Sequence, residues 1–574
     1  MTSSIARWFG PTHRPLFGWV HVPDGESCRG AVVLCPPLAR ECTNVHYTYR
    51  KLAEALAADG LLAVRFDYDG TGDSSGSDDE PGRVEAWLES IGHAMALARA
   101  CGAPEVSVLG MRMGALLGSV AAARRRDVHA LVLWDPCSSG RAFIKEQSAL
   151  QRLRTDEPAT SESTGTELPG FVFRADTVAD LAALVVPAAN APAVEHLLVL
   201  TRDEQPPPVD LVGPLACPAL ERRPAVGQQT LLNVEPTFSE VPWETIHAIT
   251  AWLGAVHHGP RRPVTVSAPD PACAEWMGSD GVWLREELLA IGPVGLFGVA
   301  TTSKRVSSGP TVIFLNSGND WHVGPNRLWV TLSRLWAAAG LRCVRFDASG
   351  LGDSPVRPDQ PDHVIRAPQA FDDVLAATVA LCPDDPKDVV LAGLCSGAYQ
   401  ALESALVLGP RGVLAVNPVL RFDPPEAAGG SIDPRRQICR PISPLIASYR
   451  SLPIPALRRR MRSLAWRLAN LADPGRSPRN WLAQLVADGI DTYCICGEDE
   501  ARPLTEGTQL AQLQASSDSC LRVEVVPGLD HALMAADQRA LVSGRLTEHL
   551  LSRFGPAAAE PQVSATIAAQ LSIG

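Results

Sequence analysis

Residues 393–397 read Gly-Leu-Cys-Ser-Gly and follow the apolar run 389–392. An apolar strand that enters a turn with glycines on both sides of one residue predicts a strand–elbow–helix, in which that residue projects above the edge of a sheet. The glycines are needed because the turn is sharp and leaves little room for side chains. The projecting residue is Cys395, whose thiol is a candidate nucleophile.

The same pattern occurs once more, nearer the amino terminus. Residues 110–114 read Gly-Met-Arg-Met-Gly after the apolar run 106–109, which places Arg112 at the position that Cys395 has in the later copy. Other segments recur in a constant register: Val-Arg-Phe-Asp at 64–67 returns at 344–347, and Gly-x-Gly-Asp-Ser at 70–74 returns at 350–354. A repeat of this length predicts two copies of one domain.

Each copy alternates short apolar strands with amphipathic helices. This pattern predicts the α/β class, with two tandem domains, each a mostly parallel sheet flanked by helices and carrying a helical cap insertion. A chain of 574 residues is too long for one core and suits two domains. The expected boundaries are an N-terminal domain at 1–255 with a cap at about 137–195, a linker at 256–285, a C-terminal domain at 286–555 with a cap at about 420–485, and a flexible tail at 556–574.

Composition and charge limit the kinds of function that we expect for this chain. The net charge of −12 argues against a nucleic-acid partner. We find no leader-like segment at Met1 and no apolar run long enough for a bilayer, so we expect no membrane association and a cytoplasmic location. The fourteen cysteines are scattered without the paired spacing of a metal site, and neither a metal nor another cofactor is expected.

Two segments carry a family resemblance: the elbow at 393–397 and the phrase Phe-Asp-Ala-Ser-Gly-Leu-Gly-Asp-Ser at 346–354. With the surrounding order of strands and helices, the chain resembles the α/β-hydrolase superfamily in its esterase, thioesterase and serine-aminopeptidase-like branch, twice and over nearly its whole length. In this superfamily the triad residues follow the order nucleophile, acid, histidine. The resemblance implies that Cys395 is the nucleophile and that His531, which ends a Gly-x-x-His after a predicted strand, is the base.

The triad acid is expected in the turn Gly-Glu-Asp-Glu at 497–500, which follows a strand predicted at 491–496. The usual spacing in the family favours Glu500, whereas the usual residue type favours Asp499. We prefer Asp499. A neighbouring imidazolium and a helix amino terminus both stabilise a thiolate, so Cys395 is expected to be reactive.

The resemblance also implies an oxyanion hole. One donor is expected to be the backbone N–H of Ser396, and the other an N–H of Ser317 or Gly318 in the loop after the strand at 311–314. Asn319 and His322 in this loop are candidate substrate contacts, although a structural role is more common for a histidine in such a place. The arginine-rich run 458–467 in the predicted cap is either a solvated helix face or a site for a phosphorylated or carrier-bound substrate.

The first copy lacks these residues. Arg112 replaces the nucleophile, Thr230 stands where the register places the histidine, and the acid turn survives at Asp203 and Glu204. An arginine has no nucleophilic atom at neutral pH. We therefore expect a degenerate site in which Arg112 pairs with Asp203 or Glu204. A packing and dimerisation scaffold is favoured over a substrate-binding role for this copy.

These inferences predict an acyl-transfer enzyme of the thioesterase or acyltransferase type, with a Cys-His-Asp triad and an acyl-thioester enzyme intermediate. The expected partner is an acyl substrate bound to a carrier protein or to coenzyme A, in a specialised-metabolite pathway, and a homodimer is the candidate assembly. One alternative is an esterase or a lactone hydrolase similar to dienelactone hydrolase. A second is a non-catalytic binding scaffold.

Overall fold

The computed structural model describes residues 3–154, 165–187, 194–202, 217–266, 272–278, 281–305, 309–365, 367–420, 478–505, 510–516 and 520–555. The cap predicted at 420–485 falls mostly outside these ranges, as do the arginine-rich run 458–467 and the tail predicted at 556–574. Within them, none of the helices combines the length and the hydrophobicity that a membrane span requires.

The first half of the chain forms a sheet covered by helices on both faces. Its strands are β1 (Ser3–Phe9), β2 (Leu16–Val22), β3 (Ser27–Cys28), β4 (Ala31–Cys35), β5 (Leu62–Phe66), β6 (Val106–Met111), β7 (Ala130–Trp134), β8 (Gly165–Leu168), β9 (Phe171–Arg174), β10 (His196–Thr201) and β11 (Ala219–Pro224). Its helices are α1 (Arg40–Ala58), α2 (Arg83–Ala100), α3 (Met113–Arg125), α4 (Gly140–Arg154), α5 (Ala175–Ala183), α6 (Gln229–Leu232) and α7 (Trp243–Val256). Eight strands pair in the order β1-β2-β5-β4-β6-β7-β10-β11.

The second half forms a nine-stranded sheet. Its strands follow β12 (Arg262–Pro263), which lies outside this sheet. They are β13 (Cys273–Met277), β14 (Trp283–Ile291), β15 (Leu296–Ser303), β16 (Thr311–Phe314), β17 (Cys343–Phe346), β18 (Val389–Leu394), β19 (Gly412–Val416), β20 (Asp491–Cys496) and β21 (Leu521–Val525). Its helices are α8 (Leu328–Ala338), α9 (Gln369–Leu381), α10 (Ser396–Leu408), α11 (Pro478–Ala487), α12 (Glu498–Thr505), α13 (Leu510–Ser516) and α14 (Ala536–Phe554). The order β13-β14-β15-β17-β16-β18-β19-β20-β21 repeats that of the first sheet after one added edge strand.

Both sheets follow from apolar strands that are buried on two faces. All five residues of β4 and all six of β18 are buried, as expected for parallel strands with helices on each side. Because side chains alternate along a strand, Val33 packs in the core with α2 and α3, whereas Val32 and Leu34 pack in the core with α1 and α7. The predicted α/β class with two sheets is confirmed.

The segment 256–285, predicted as a linker, contains two short strands. Its β12 forms a separate two-stranded sheet with β3 of the first half, and β13 pairs antiparallel with β14 at the edge of the second large sheet. The sequence did not indicate these strands because periodicity in short edge strands is weak, and because pairing with another strand decides their conformation. In the predicted N-terminal cap, α4, the β8–β9 hairpin and α5 are described.

A buried ionic network joins the two halves and has near two-fold symmetry. Arg65 of the first half contacts Asp353 at 2.7 Å, and Arg345 of the second half contacts Asp73 at 2.5 Å. The two arginines and the two aspartates occupy equivalent positions of the repeated segments at 64–74 and 344–354. The repeat therefore supplies matching charges to both sides of one interface.

Candidate active site

Cys395 occupies a strained turn between β18 and α10. Its φ is 56° and its ψ is −114°, a conformation that residues with side chains seldom adopt. The flanking glycines are required, since a Cβ at Gly393 would lie 2.2 Å from the carbonyl carbon of Gly397, and a Cβ at Gly397 would lie 2.6 Å from the carbonyl oxygen of Asn316. The Gly-x-Cys-x-Gly segment thus forms the predicted strand–elbow–helix, with Cys395 at the carboxyl end of the strand.

His531, in the loop between β21 and α14, contacts both an acid and the thiol. Its Nδ1 is 3.0 Å from Oε1 of Glu500, and its ring lies close enough to the Cys395 thiol to interact with it. Burial disfavours the charged ring, but the interactions with Cys395 and Glu500 outweigh burial and raise the pKa of His531 to about 10. The hydrogen bond from His531 also lowers the pKa of the Glu500 carboxyl. This arrangement favours a protonated imidazole next to the Cys395 thiol.

The preference for Asp499 as the acid partner was wrong. Asp499 points into solvent, with 74% of its side chain exposed, and pairs with Arg502 one helical turn later on α12. Glu500 is only 20% exposed and faces His531. Successive side chains on a helix point about 100° apart, so adjacent residues on the first turn of α12 cannot both face the histidine. The preference for Asp499 rested on residue type. In the structure, the direction in which α12 presents each side chain decides which acid contacts His531.

The predicted oxyanion loop lies against the start of α10. The backbone N–H of Gly318 donates to Oγ of Ser396 at 2.7 Å, which occupies one of the predicted donors. Ser317 and Ser396 are buried beside Cys395. The Ser396 side chain therefore fixes the loop and takes up the N–H of Gly318. The N–H groups of Ser317 and Ser396 stay the predicted donors.

The two candidate substrate contacts of this loop have structural partners. Nδ1 of His322 is 2.8 Å from Asp347, and its Nε2 is 2.6 Å from Asp73 of the first half. Burial opposes a charge on His322, yet these two carboxylates raise its pKa to about 10. The Asn319 side chain donates to the carbonyl oxygen of Pro236, also in the first half. The substrate-contact predictions were wrong because both side chains are used at the interface between the halves.

One residue that positions the site was missed from the sequence. The side-chain amide of Asn417, after β19, donates to the carbonyl oxygens of Asp530 and His531 at 3.0 and 3.1 Å. Its Oδ1 accepts the N–H of Gly497, which precedes α12. Asn417 therefore joins the acid turn to the histidine loop. The sequence signal was the Asn-Pro pair directly after an apolar strand.

With this geometry established, the chain can be compared with known proteins. A family model described as the alpha/beta hydrolase family matches residues 312–543, which contain the elbow, Glu500 and His531. The matched part of the C-terminal half belongs to the alpha/beta-hydrolase superfamily.

Solved structures resemble a little under half of the chain. Est1E from Butyrivibrio proteoclasticus is 17% identical, covering 44% of the chain and 98% of its own length at a TM-score of 0.31. Proline iminopeptidase from Mycobacterium smegmatis is 16% identical, with coverages of 44% and 98% and a TM-score of 0.31. DcsB in complex with its substrate analogue is 18% identical, with coverages of 45% and 100% and a TM-score of 0.32. A search of curated protein sequences gave no match.

The first half of the chain has a second elbow, in which another residue takes the place of the cysteine. Arg112 has a φ of 54° and a ψ of −119°, close to the values of Cys395. Its guanidinium contacts three carboxylates: Glu41 at 3.1 Å, Asp135 at 3.4 Å, and Glu146. Because its nitrogens are engaged and the residue is buried, Arg112 acts as the cation of a structural cluster.

The expected partners of Arg112 differ from the observed ones. Asp203 and Glu204 lie outside the described residues. Thr230 keeps the place in its loop that the register gives it, because the same backbone hydrogen bonds form at Ala225 and Gln228 as at Val526 and Leu529. Thr230 is nevertheless exposed, and its hydroxyl donates to the carbonyl oxygen of Gly227. The side chain of this loop that faces Asp135 is Gln228, whose Nε2 lies 2.5 Å from that carboxylate.

Proposed function

We propose that the C-terminal half is an acyl-transfer enzyme of the thioesterase or acyltransferase type, with Cys395, His531 and Glu500 as its triad. The observation that carries this proposal is the imidazole of His531, which is hydrogen-bonded to Glu500 and lies next to the Cys395 thiol at a strained elbow. In place of the Cys-His-Asp triad expected from the sequence, the proposed triad is Cys-His-Glu. The acid keeps its role of orienting the imidazole and stabilising its charge.

The proposed reaction has two steps. The Cys395 thiolate attacks the acyl carbonyl, and its sulfur–carbon bond forms as the bond to the leaving group breaks; His531 gives its proton to that group. An acceptor hydroxyl, thiol, amine or water then attacks the acyl-thioester, His531 takes its proton, and Cys395 leaves as thiolate. The N–H groups of Ser317 and Ser396 are positioned to bind the oxyanion in both steps.

The acyl donor that we propose is a thioester of a carrier protein or of coenzyme A, because exchange of one thioester for another needs little driving force. All thirteen described cysteines are free thiols. A catalytic thiolate needs a reducing compartment, so we propose that the enzyme works in the cytoplasm. A place in a specialised-metabolite pathway belongs to the same proposal.

For the N-terminal half we propose a scaffold role, after duplication of one hydrolase domain. The shared strand order, the two elbows and the repeated Arg–Asp pairs support this proposal. Arg112 offers no nucleophile, and three carboxylates neutralise its charge. The scaffold also touches the active site of the other half through Pro236, which holds Asn319 of the oxyanion loop.

Mass spectrometry of trapped adducts tests the proposed function. The protein is incubated with a short acyl-thioester of N-acetylcysteamine and with a p-nitrophenyl ester, and the modified peptide is identified. We expect one acyl group on Cys395, absent from Cys395→Ala and retained in Cys382→Ala, which removes a partly exposed thiol directly after α9. Equal labelling of Cys395→Ala would contradict the proposal.

The fate of the adduct separates the candidate reactions. Transfer of the acyl group to an added amine, thiol or alcohol faster than to water supports an acyltransferase. The esterase or lactone-hydrolase alternative is supported by two results together. Only the aryl ester forms the acyl adduct, and the adduct is hydrolysed by water at the same rate with and without an added acceptor. The absence of any adduct would favour the binding scaffold.

A further inference from the structure

A cluster of one carboxylate and two imidazoles lies at the opposite edge of the first sheet from Arg112. Glu105 immediately precedes β6, His129 precedes the neighbouring strand β7, and His257 directly follows α7. These strands are parallel, so the positions before them meet at the amino edge of the sheet, whereas the elbow is at the carboxyl edge. The cluster is therefore separate from the proposed active site.

The three groups have the spacing of metal ligands. Oε2 of Glu105 is 3.3 Å from Nε2 of His129 and 3.4 Å from Nδ1 of His257, and all three atoms lie within 4.8 Å of one another. Tetrahedral zinc with ligand bonds of about 2.0–2.1 Å separates its ligand atoms by about 3.3–3.4 Å. Two of the three separations thus match, and a small movement of the rings would close the third.

Both imidazole nitrogens lack another partner. Among the residues that the structure describes, Nε2 of His129 and Nδ1 of His257 are buried and form no hydrogen bond. The His257 side chain is fully buried, while Glu105 is 45% exposed and leaves a path for an ion from solvent. Buried polar atoms without a hydrogen-bond partner are uncommon, and an ion bound between these two nitrogens would account for both.

The surroundings of His257 leave the lone pair of its Nδ1 available to a cation. Its Nε2 lies 2.8 Å from Oγ of Ser107, a contact that, with Nε2–H donating, leaves the lone pair on Nδ1. Gly30 also leaves space, since a Cβ there would lie 2.2 Å from Nδ1.

The second half of the chain offers an internal comparison. Asp388 immediately precedes β18 and Arg411 precedes β19, at the places that Glu105 and His129 have in the first half. There the two side chains form an ion pair, with Nε of Arg411 2.8 Å from Oδ1 of Asp388. In the second half an arginine thus neutralises the carboxylate. In the first half two imidazole nitrogens face the carboxylate of Glu105 instead.

We propose that Glu105, His129 and His257 bind a zinc ion, with water as the fourth ligand, and that the ion ties the end of α7 to the first sheet. Two imidazoles and one carboxylate form a donor set that zinc accepts. The site was not expected from the sequence because its ligands lie far apart along the chain and no cysteine pair marks it. Its role is structural, since the proposed active site lies at the other edge of its counterpart sheet.

Metal binding is measured on the full chain carrying Cys395→Ala, which removes the thiol next to His531. Protein stripped with a chelator is dialysed against Zn²⁺, and metal content is determined by mass spectrometry; Co²⁺ replaces Zn²⁺ for visible absorption. We expect one ion per chain with tetrahedral Co²⁺ bands and no thiolate band. Glu105→Gln, His129→Gln and His257→Gln should each lose the ion, whereas His247→Gln, an exposed histidine on α7, should retain it.

Two further measurements distinguish a site from adventitious binding. Ser107→Ala keeps all three ligands and should weaken zinc affinity about 10- to 100-fold. Zn²⁺ should raise the Tm of the parent protein but not of Glu105→Gln, whose exposed side chain can change without disturbing the core. Equal zinc content in the parent and in Glu105→Gln, or bound zinc that leaves Tm unchanged, would overturn the proposal.

Discussion

Replacing Glu500 by alanine should slow acyl transfer by Cys395 about 10- to 150-fold, whereas Asp499→Ala should leave the rate nearly unchanged. The Glu500 contact with Nδ1 of His531 is a 3.0 Å hydrogen bond between groups of opposite charge. Such a bond contributes about 1.5–3 kcal/mol, and about 1.4 kcal/mol corresponds to a tenfold change in rate. Since 43% of the His531 side chain is exposed, water screens the charges and the effect should be nearer tenfold.

The two substitutions form a matched pair. Both remove an acid from the first turn of α12, so both change the net charge and the helix terminus in the same way. Asp499→Ala loses only an exposed ion pair with Arg502, which contributes little. The difference between the variants therefore reports the contact with His531.

Two assays are needed because they respond to different steps. The rate of iodoacetamide alkylation at Cys395, followed by peptide mass spectrometry, reports the fraction of thiolate without any assumption about substrate. The kcat/KM for the acyl-thioester that forms the adduct reports the complete reaction. A Glu500→Ala variant with wild-type values, or an Asp499→Ala variant that is slowed equally, would refute the assignment of Glu500.

Three further predictions concern pH and stability. Because the pKa of His531 is raised to about 10, its positive charge persists below that pH and is lost as the pH rises through it. We therefore expect kcat to fall above about pH 10, and Glu500→Ala should move this limb of the pH–rate profile to lower pH. Asp73→Asn should lower the free energy of unfolding by about 3–5 kcal/mol, because it leaves Arg345 buried without that partner; a loss under about 1 kcal/mol in urea denaturation would contradict this. Arg112→Leu should also destabilise by about 3–5 kcal/mol without affecting adduct formation at Cys395, and an unchanged urea midpoint would show that the carboxylates do not need the cation.

The elbow was predictable because its signal is local. The turn requires glycine at 393 and 397 because a side chain there would collide with backbone atoms nearby. The apolar strand that precedes the turn is also visible in a few consecutive residues. His531 was found because the order of triad residues is fixed by the order of strands. The triad acid could not be assigned from the order of the residues alone. Asp499 and Glu500 are adjacent, and they differ in the direction in which α12 presents their side chains.

The sequence by itself determined two α/β sheets and a strained elbow that carries Cys395 in one and Arg112 in the other. These features follow from hydrophobic periodicity and backbone sterics, which act over a few residues. Only the tertiary structure decided the partners. His322 bridges the two halves instead of facing a substrate, and Glu105 meets two distant histidines, because such contacts depend on which strands and loops become neighbours in space.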